Sequence, residues 1–193
     1  MPSLATDFAE LLDRIRQGRE FVHASFEPVY YLIFPPRQIL EVKRNMPAWI
    51  ARLRNDGWHV STFSVAEAVL DILQNAPQRK FWLTAEKRSP QTTQDINKSL
   101  TNPLSNGALQ SRLAAVLNDL VANPPGPKPI LLLTDIEGLH PYMRIGTIEG
   151  QLAGQFHVPT VIFYPGVRTG KTRLKFLGFY PEDGNYRSVH VGG

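Results

Sequence analysis

The chain has 193 residues, 42% of them hydrophobic, with a formal net charge of +4. That length suits one hydrophobic core, and no stretch reaches the roughly 20 apolar residues that span a bilayer. Cysteine is absent, which excludes disulfides, thiolate nucleophiles and cysteine-ligated zinc and leads us to expect a cytoplasmic protein.

Along the chain, "MPSLATDFAELLDRIRQG" carries acids early and has no continuous apolar run, unlike a signal peptide. Within it, Phe8, Leu11, Leu12 and Ile15 share one face, so residues 6–17 read as an amphipathic helix. Arg14, Arg16 and Arg19 are interleaved with Asp13 and Glu20 rather than gathered into the basic face that nucleic-acid contact needs. "VYYLIF" (29–34) is a buried-strand run stopped by Pro35 and Pro36. Apolar residues from Ile39 to Leu53 then recur at helical spacing. Pro47 interrupts them, and a kink or two short helices is expected there. Lys43, Arg44, Arg52 and Arg54 lie on this stretch, as a basic patch or simply a solvated face.

"WHVSTF" (58–63) reads as a second strand, and Ser64-Val65-Ala66-Glu67 is a capping box opening a helix. "KFWLT" (80–84) reads as a third strand. Residues 86–107 are polar and turn-rich, apart from a short helical pattern in "TTQDINKSL", and suggest a mobile lid or a partner-binding insertion. A helix at 108–122 leads through "NPPGPKP" into "ILLLT" (130–134), the most apolar strand. A further helix over 145–155, strands at 160–164 and 173–180, a turn at 181–185 and a tail over 186–193 complete the reading. Alternating strands and helices imply a single α/β sandwich over 1–193. Its sheet should be mainly parallel, of five to six strands, with an antiparallel C-terminal edge, akin to a degenerate P-loop-like or Rossmann-like fold.

"PGVRTGKT" (165–172) ends in the letters of a phosphate-binding loop, which needs G-x-x-x-x-G-K-[ST] after a strand and before a helix. Pro165 stands at the first-glycine position, where it has no N–H to offer, and the following "RLKFLGFY" has strand chemistry. A hairpin explains Pro165, Gly166 and Gly170 as turn residues, with Arg168 and Lys171 left as anion or partner contacts. "ILLLTD" similarly imitates a magnesium-binding strand, but an acid that ends a buried strand is commonplace.

The densest reactive cluster is "TDIEGLHPYMR" (134–144), with Asp135, Glu137, His140, Tyr142 and Arg144. Asp135 and His140 could form an acid–base pair with Arg144 gripping an anion, yet no nucleophile is marked. Asp135, His140 and Arg144 are therefore taken as partner or anion contacts, with no catalytic, cofactor or metal residue assigned. His23, His59, His140, His157 and His190 are scattered without metal-ligand spacing. Gly146, Gly150 and Gly154 recur every fourth residue. Such a stripe suggests tight packing on the sheet, with a partner helix as the alternative.

The runs "PILLLTDIEGLHPYMRIGTIEGQL" (129–152), "VPTVIFYPG" (158–166) and "LKFLGFY" (174–180), with "YYLIFPP" (30–36) upstream, resemble the BrxB family of bacterial BREX phage-defence systems. The resemblance implies a cytoplasmic defence component that works beside a DNA methyltransferase, a large ATPase and PglZ. It also implies an adaptor or scaffold rather than an enzyme, without a cofactor and with PglZ as first partner. It carries no catalytic motif onto particular residues. From the residues alone, a divergent nucleotide-binding protein and a DNA-binding accessory remain as alternatives.

Overall fold

The structure is a computed structural model that describes residues 3–18, 27–88, 93–170, 173–184 and 188–193. Its centre is a six-stranded, mostly parallel sheet, so the α/β class expected from the sequence is the one adopted. The strands are β1 (Val29–Phe34), β2 (His59–Ser64), β3 (Pro129–Thr134), β4 (Thr160–Arg168), β5 (Leu174–Phe176) and β6 (Val189–Gly192). The main path runs β2-β3-β4-β1-β6, all parallel, and β5 pairs antiparallel with the outer end of β4.

Both faces are covered, as a parallel sheet requires. On one face lie α1 (Leu4–Gln17) and α2 (Ile39–Asn55), packed over Tyr30, Leu32, Leu132 and Phe163. Trp49 of α2 stacks between Phe8 at 4.5 Å and Phe163 at 5.9 Å. Each such pair adds about 0.5–1.5 kcal/mol beyond its buried area. On the other face α3 (Val65–Gln74), α6 (Ala108–Ala122) and α7 (Ile145–Gln151) cover Tyr31, Ile33, Leu131, Leu133 and Ile162. Ser64 caps α3 as its capping box predicts, its hydroxyl accepting from the Glu67 N–H.

Several expectations are corrected or narrowed. Residues 80–84 lie in a helix, α4 (Arg79–Arg88), rather than a strand. Only Trp82 is buried there, while Phe81 and Leu83 stay exposed, and the helix-forming "AEKR" that follows tips the balance. The polar 86–107 segment is largely helical in α5 (Thr93–Ser105), which buries Leu104 and is joined to α4 by a Trp82–Ser99 hydrogen bond of 2.8 Å. Residues 89–92, where a lid was also expected, lie outside the described residues.

Of the two outcomes expected at Pro47, division into two short helices is excluded, since Pro47 sits inside one helix, α2. Its face is exposed, so water can take the carbonyl that loses its partner. The tail contains β6, which forms the parallel edge beside β1; the antiparallel strand β5 lies off the main path. Finally, α7 ends at Gln151, and Gly154 follows it in a turn at φ 86°. A Cβ on Gly150 would meet nothing within 4 Å, so the glycine stripe is not one of close packing at that position.

Candidate functional site

From β1 the chain leaves the sheet toward α2 on one face, whereas from β3 it leaves toward α7 on the other, with β4 between them. Opposite exits at the carboxyl ends of the two strands that flank β4 open a crevice of the kind where α/β proteins place ligands. Here it is lined by Phe34, Lys43, Thr134, Asp135, Glu137 and Phe163, among others, and its free volume is about 20 Å³. That is room for about one water molecule.

An ion cluster fills this crevice. Asp135 follows β3 in the left-handed region, φ 56° and ψ 34°, as the residue that opens the one-turn 3-10 helix Ile136–Leu139. Aspartate tolerates that conformation because its short side chain bonds locally. One carboxylate oxygen accepts from Ser64 Oγ at 2.9 Å and Thr134 Oγ1 at 2.8 Å. The other lies 2.7 Å from Lys43 Nζ, which also reaches Glu137 at 2.9 Å. Burial raises the Asp135 carboxyl, but Lys43 and the Thr134 and Ser64 hydroxyls outweigh it and hold the group below its ordinary range. The hydrogen bond to Asp135 in turn lifts the Lys43 ammonium against partial burial, with Glu137 adding to it. One lysine thus serves two carboxylates.

The other end of the same 3-10 helix leads to His140, which joins a separate network. Its Nδ1 shares a short hydrogen bond with the Tyr180 hydroxyl. Its ring stands edge-on to Phe179 and Tyr180, both at 5.5 Å. Phe179 stacks on Tyr180 at 4.8 Å, and the Arg144 guanidinium lies 5.0 Å over the Tyr180 ring. Burial raises the Tyr180 phenol above its ordinary value, and Arg144 works against that shift. Asp135 and His140 therefore do not make an acid–base pair: each hydrogen-bonds to other groups.

The "PGVRTGKT" hairpin is confirmed in outline. Pro165, Gly166 and Arg168 belong to β4 itself, Pro165 beside Phe34 of β1 and Gly166 and Arg168 opposite β5, and Thr169 N–H donates to the Arg173 carbonyl across the turn. A strand, and no helix, follows. Gly166 is therefore a strand residue rather than a turn residue: a Cβ there would come within 2.4 Å of the Tyr164 ring. Arg168 is exposed on the hairpin and donates to the Gly170 carbonyl; Lys171 lies outside the described residues.

Sequence reasoning missed Lys43 as the partner of Asp135, and Phe179 and Tyr180 as partners of His140. The crowding of "LGFYPED" beside strand β5 was the available signal for the latter pair. Among the described residues no group of three or more His, Asp or Glu side chains is arranged to hold a metal ion. A larger cavity of about 400 Å³ lies at the amino-terminal edge of the sheet, lined by Arg54, Trp58, His59 and Val60, apart from the Asp135 and His140 clusters.

Comparison with family models matches residues 61–191 to the family described as BREX protein BrxB. No curated protein and no solved structure matches the chain.

Proposed function

Because the chain belongs to the BrxB family and is a component of a BREX phage-defence system, we propose that it acts there as a non-enzymatic adaptor whose first partner is PglZ. The observation that carries this reading is the state of the switch-point crevice. The place where this topology would work on a ligand holds the Lys43–Asp135–Glu137 ion cluster and about 20 Å³ of free volume. An aromatic and cationic cluster lies beside it, with His140 and Phe179 exposed and Arg144 and Tyr180 half-buried. Work in the cytoplasm accords with this role, and among the described residues no helix is long and apolar enough to cross a membrane.

Size exclusion of the protein co-expressed with PglZ tests the reading. A shared peak is expected, and two separate peaks at micromolar concentration would remove the adaptor role. A nucleotide-binding reading draws on the position of Asp135 after β3 and of Lys43 on the helix after β1. Against it stand Pro35 and Pro36, which remove backbone donors from the loop that would cradle phosphate. Calorimetry with ATP and Mg²⁺ decides it, and measurable heat would revive it. A DNA-binding accessory role has the +4 charge for support. A flat gel shift at low salt, where phosphate contacts are strongest, would end it.

A further inference from the structure

Four side chains from two distant segments meet at the carboxyl end of the sheet: His140 and Arg144 around the start of α7, and Phe179 and Tyr180 after β5. They are held before any partner arrives. His140 is fixed by its bond to Tyr180, and its backbone N–H donates to the Glu137 carbonyl at 3.0 Å. Tyr180 is fixed through its N–H to the Phe176 carbonyl at 3.2 Å. Preorganised aromatic and arginine groups lose little conformational freedom on binding, and they dominate interface energetics.

Two features of the cluster are left unsatisfied among the described residues. Phe179 is 62% exposed although its neighbour Tyr180 is largely covered. Arg144 is steadied by an aromatic ring, with no carboxylate partner among the described residues, whereas Arg112 and Arg173 pair with Asp71 and Glu182. An apolar surface beside a fixed cation calls for an apolar group beside an anion. A nucleic acid would also offer a flat ring and a charge. The loop that carries Phe179, however, continues into Glu182, which is paired with Arg173, and Asp183, so it offers no further cation to a phosphate chain.

We propose that His140, Arg144, Phe179 and Tyr180 form the docking surface for a protein segment that places an apolar side chain on Phe179 and a carboxylate on Arg144. This rests on the adaptor reading and gives it a location and a chemistry.

The test compares wild type, Phe179→Ser, Arg144→Glu and the control Phe81→Ser for binding to purified PglZ by calorimetry. Phe81 is as exposed as Phe179, at 66%, but lies on α4. Phe179→Ser and Arg144→Glu are each expected to weaken binding about 30-fold or more, as central interface residues do. Phe81→Ser should stay within about twofold of wild type, as residues outside an interface do, and circular dichroism should show all four proteins folded. If PglZ does not bind wild type, the adaptor reading and the surface fall together. If PglZ binds all four proteins alike, the surface falls and the adaptor reading stands. Equal losses in Phe81→Ser and Phe179→Ser also overturn the surface. A single-stranded oligothymidine that binds wild type and is lost in Phe179→Ser, with PglZ binding intact, would give the surface to nucleic acid instead.

Discussion

Asp135 and His140 bracket the same one-turn helix, Ile136–Leu139, yet they belong to regions of opposite character. On the Asp135 side, Lys43, Ser64, Thr134 and Glu137 converge, and the carboxylate of Asp135 is met on both oxygens. On the His140 side the rings lean on one another, but Phe179 and Arg144 turn part of their surface to solvent. The first region has spent its charges on joining α2, the end of β2 and the end of β3. The second leaves Phe179 exposed and Arg144 without a carboxylate partner among the described residues. Closeness in sequence therefore says little about shared function here; the tertiary neighbours decide it.

The contrast makes the Asp135 region a stability element, and its loss should give the largest effect. Asp135→Ala leaves Lys43 and two hydroxyls short of an acceptor and puts alanine in a left-handed conformation, so a loss of about 2–3 kcal/mol is expected. Urea unfolding checks it, and a change within experimental error would break the distinction between the regions. Lys43→Met should cost less, about 1 kcal/mol, because the ammonium is half exposed and its pairing is screened.

The same cluster sets a pH dependence. The folded-state pKa of Asp135 is held below its ordinary 3.8. Its contribution is therefore full above that value and is lost as pH falls below 3.8 through the depressed pKa. Urea midpoints from pH 6 downward should show an acid-side decline that is shallower in Asp135→Asn. An identical decline in both proteins would assign it to other carboxylates.

Smaller still, Gly150→Ala on α7 should stabilise by about 0.5–1 kcal/mol, since the position is helical and a Cβ meets open space. A loss of stability in thermal melts would mean that the stripe packs after all. Phe179→Ser should leave stability within about 0.5 kcal/mol of wild type, as exposed substitutions do. A clear drop would move Phe179 from docking surface to structural role.

Strands β1, β3 and β4 were legible in the sequence because parallel strands buried on both faces read as unbroken apolar runs. Residues 80–84 were not, because three adjacent apolar residues fit either period and only the burial of Trp82 alone separates them. The strand β6 was hidden for a different reason: "VHVG" becomes a strand by pairing with β1, a partner no local pattern reveals. The candidate site divides the same way. His140 and Arg144 stood out within one dense segment, whereas Phe179, Tyr180 and Lys43 join it only through the sheet topology.

The position of β1 also shapes how the protein must be made. Both of its neighbours, β4 and β6, follow it by more than a hundred residues. During synthesis the first strand of the sheet therefore waits, apolar and unpaired, until nearly all the described chain has emerged. Pairings this distant slow folding and prolong exposure of aggregation-prone surface. A partner that shields β1 on the ribosome, or co-translational association with other BREX proteins, would act on that interval.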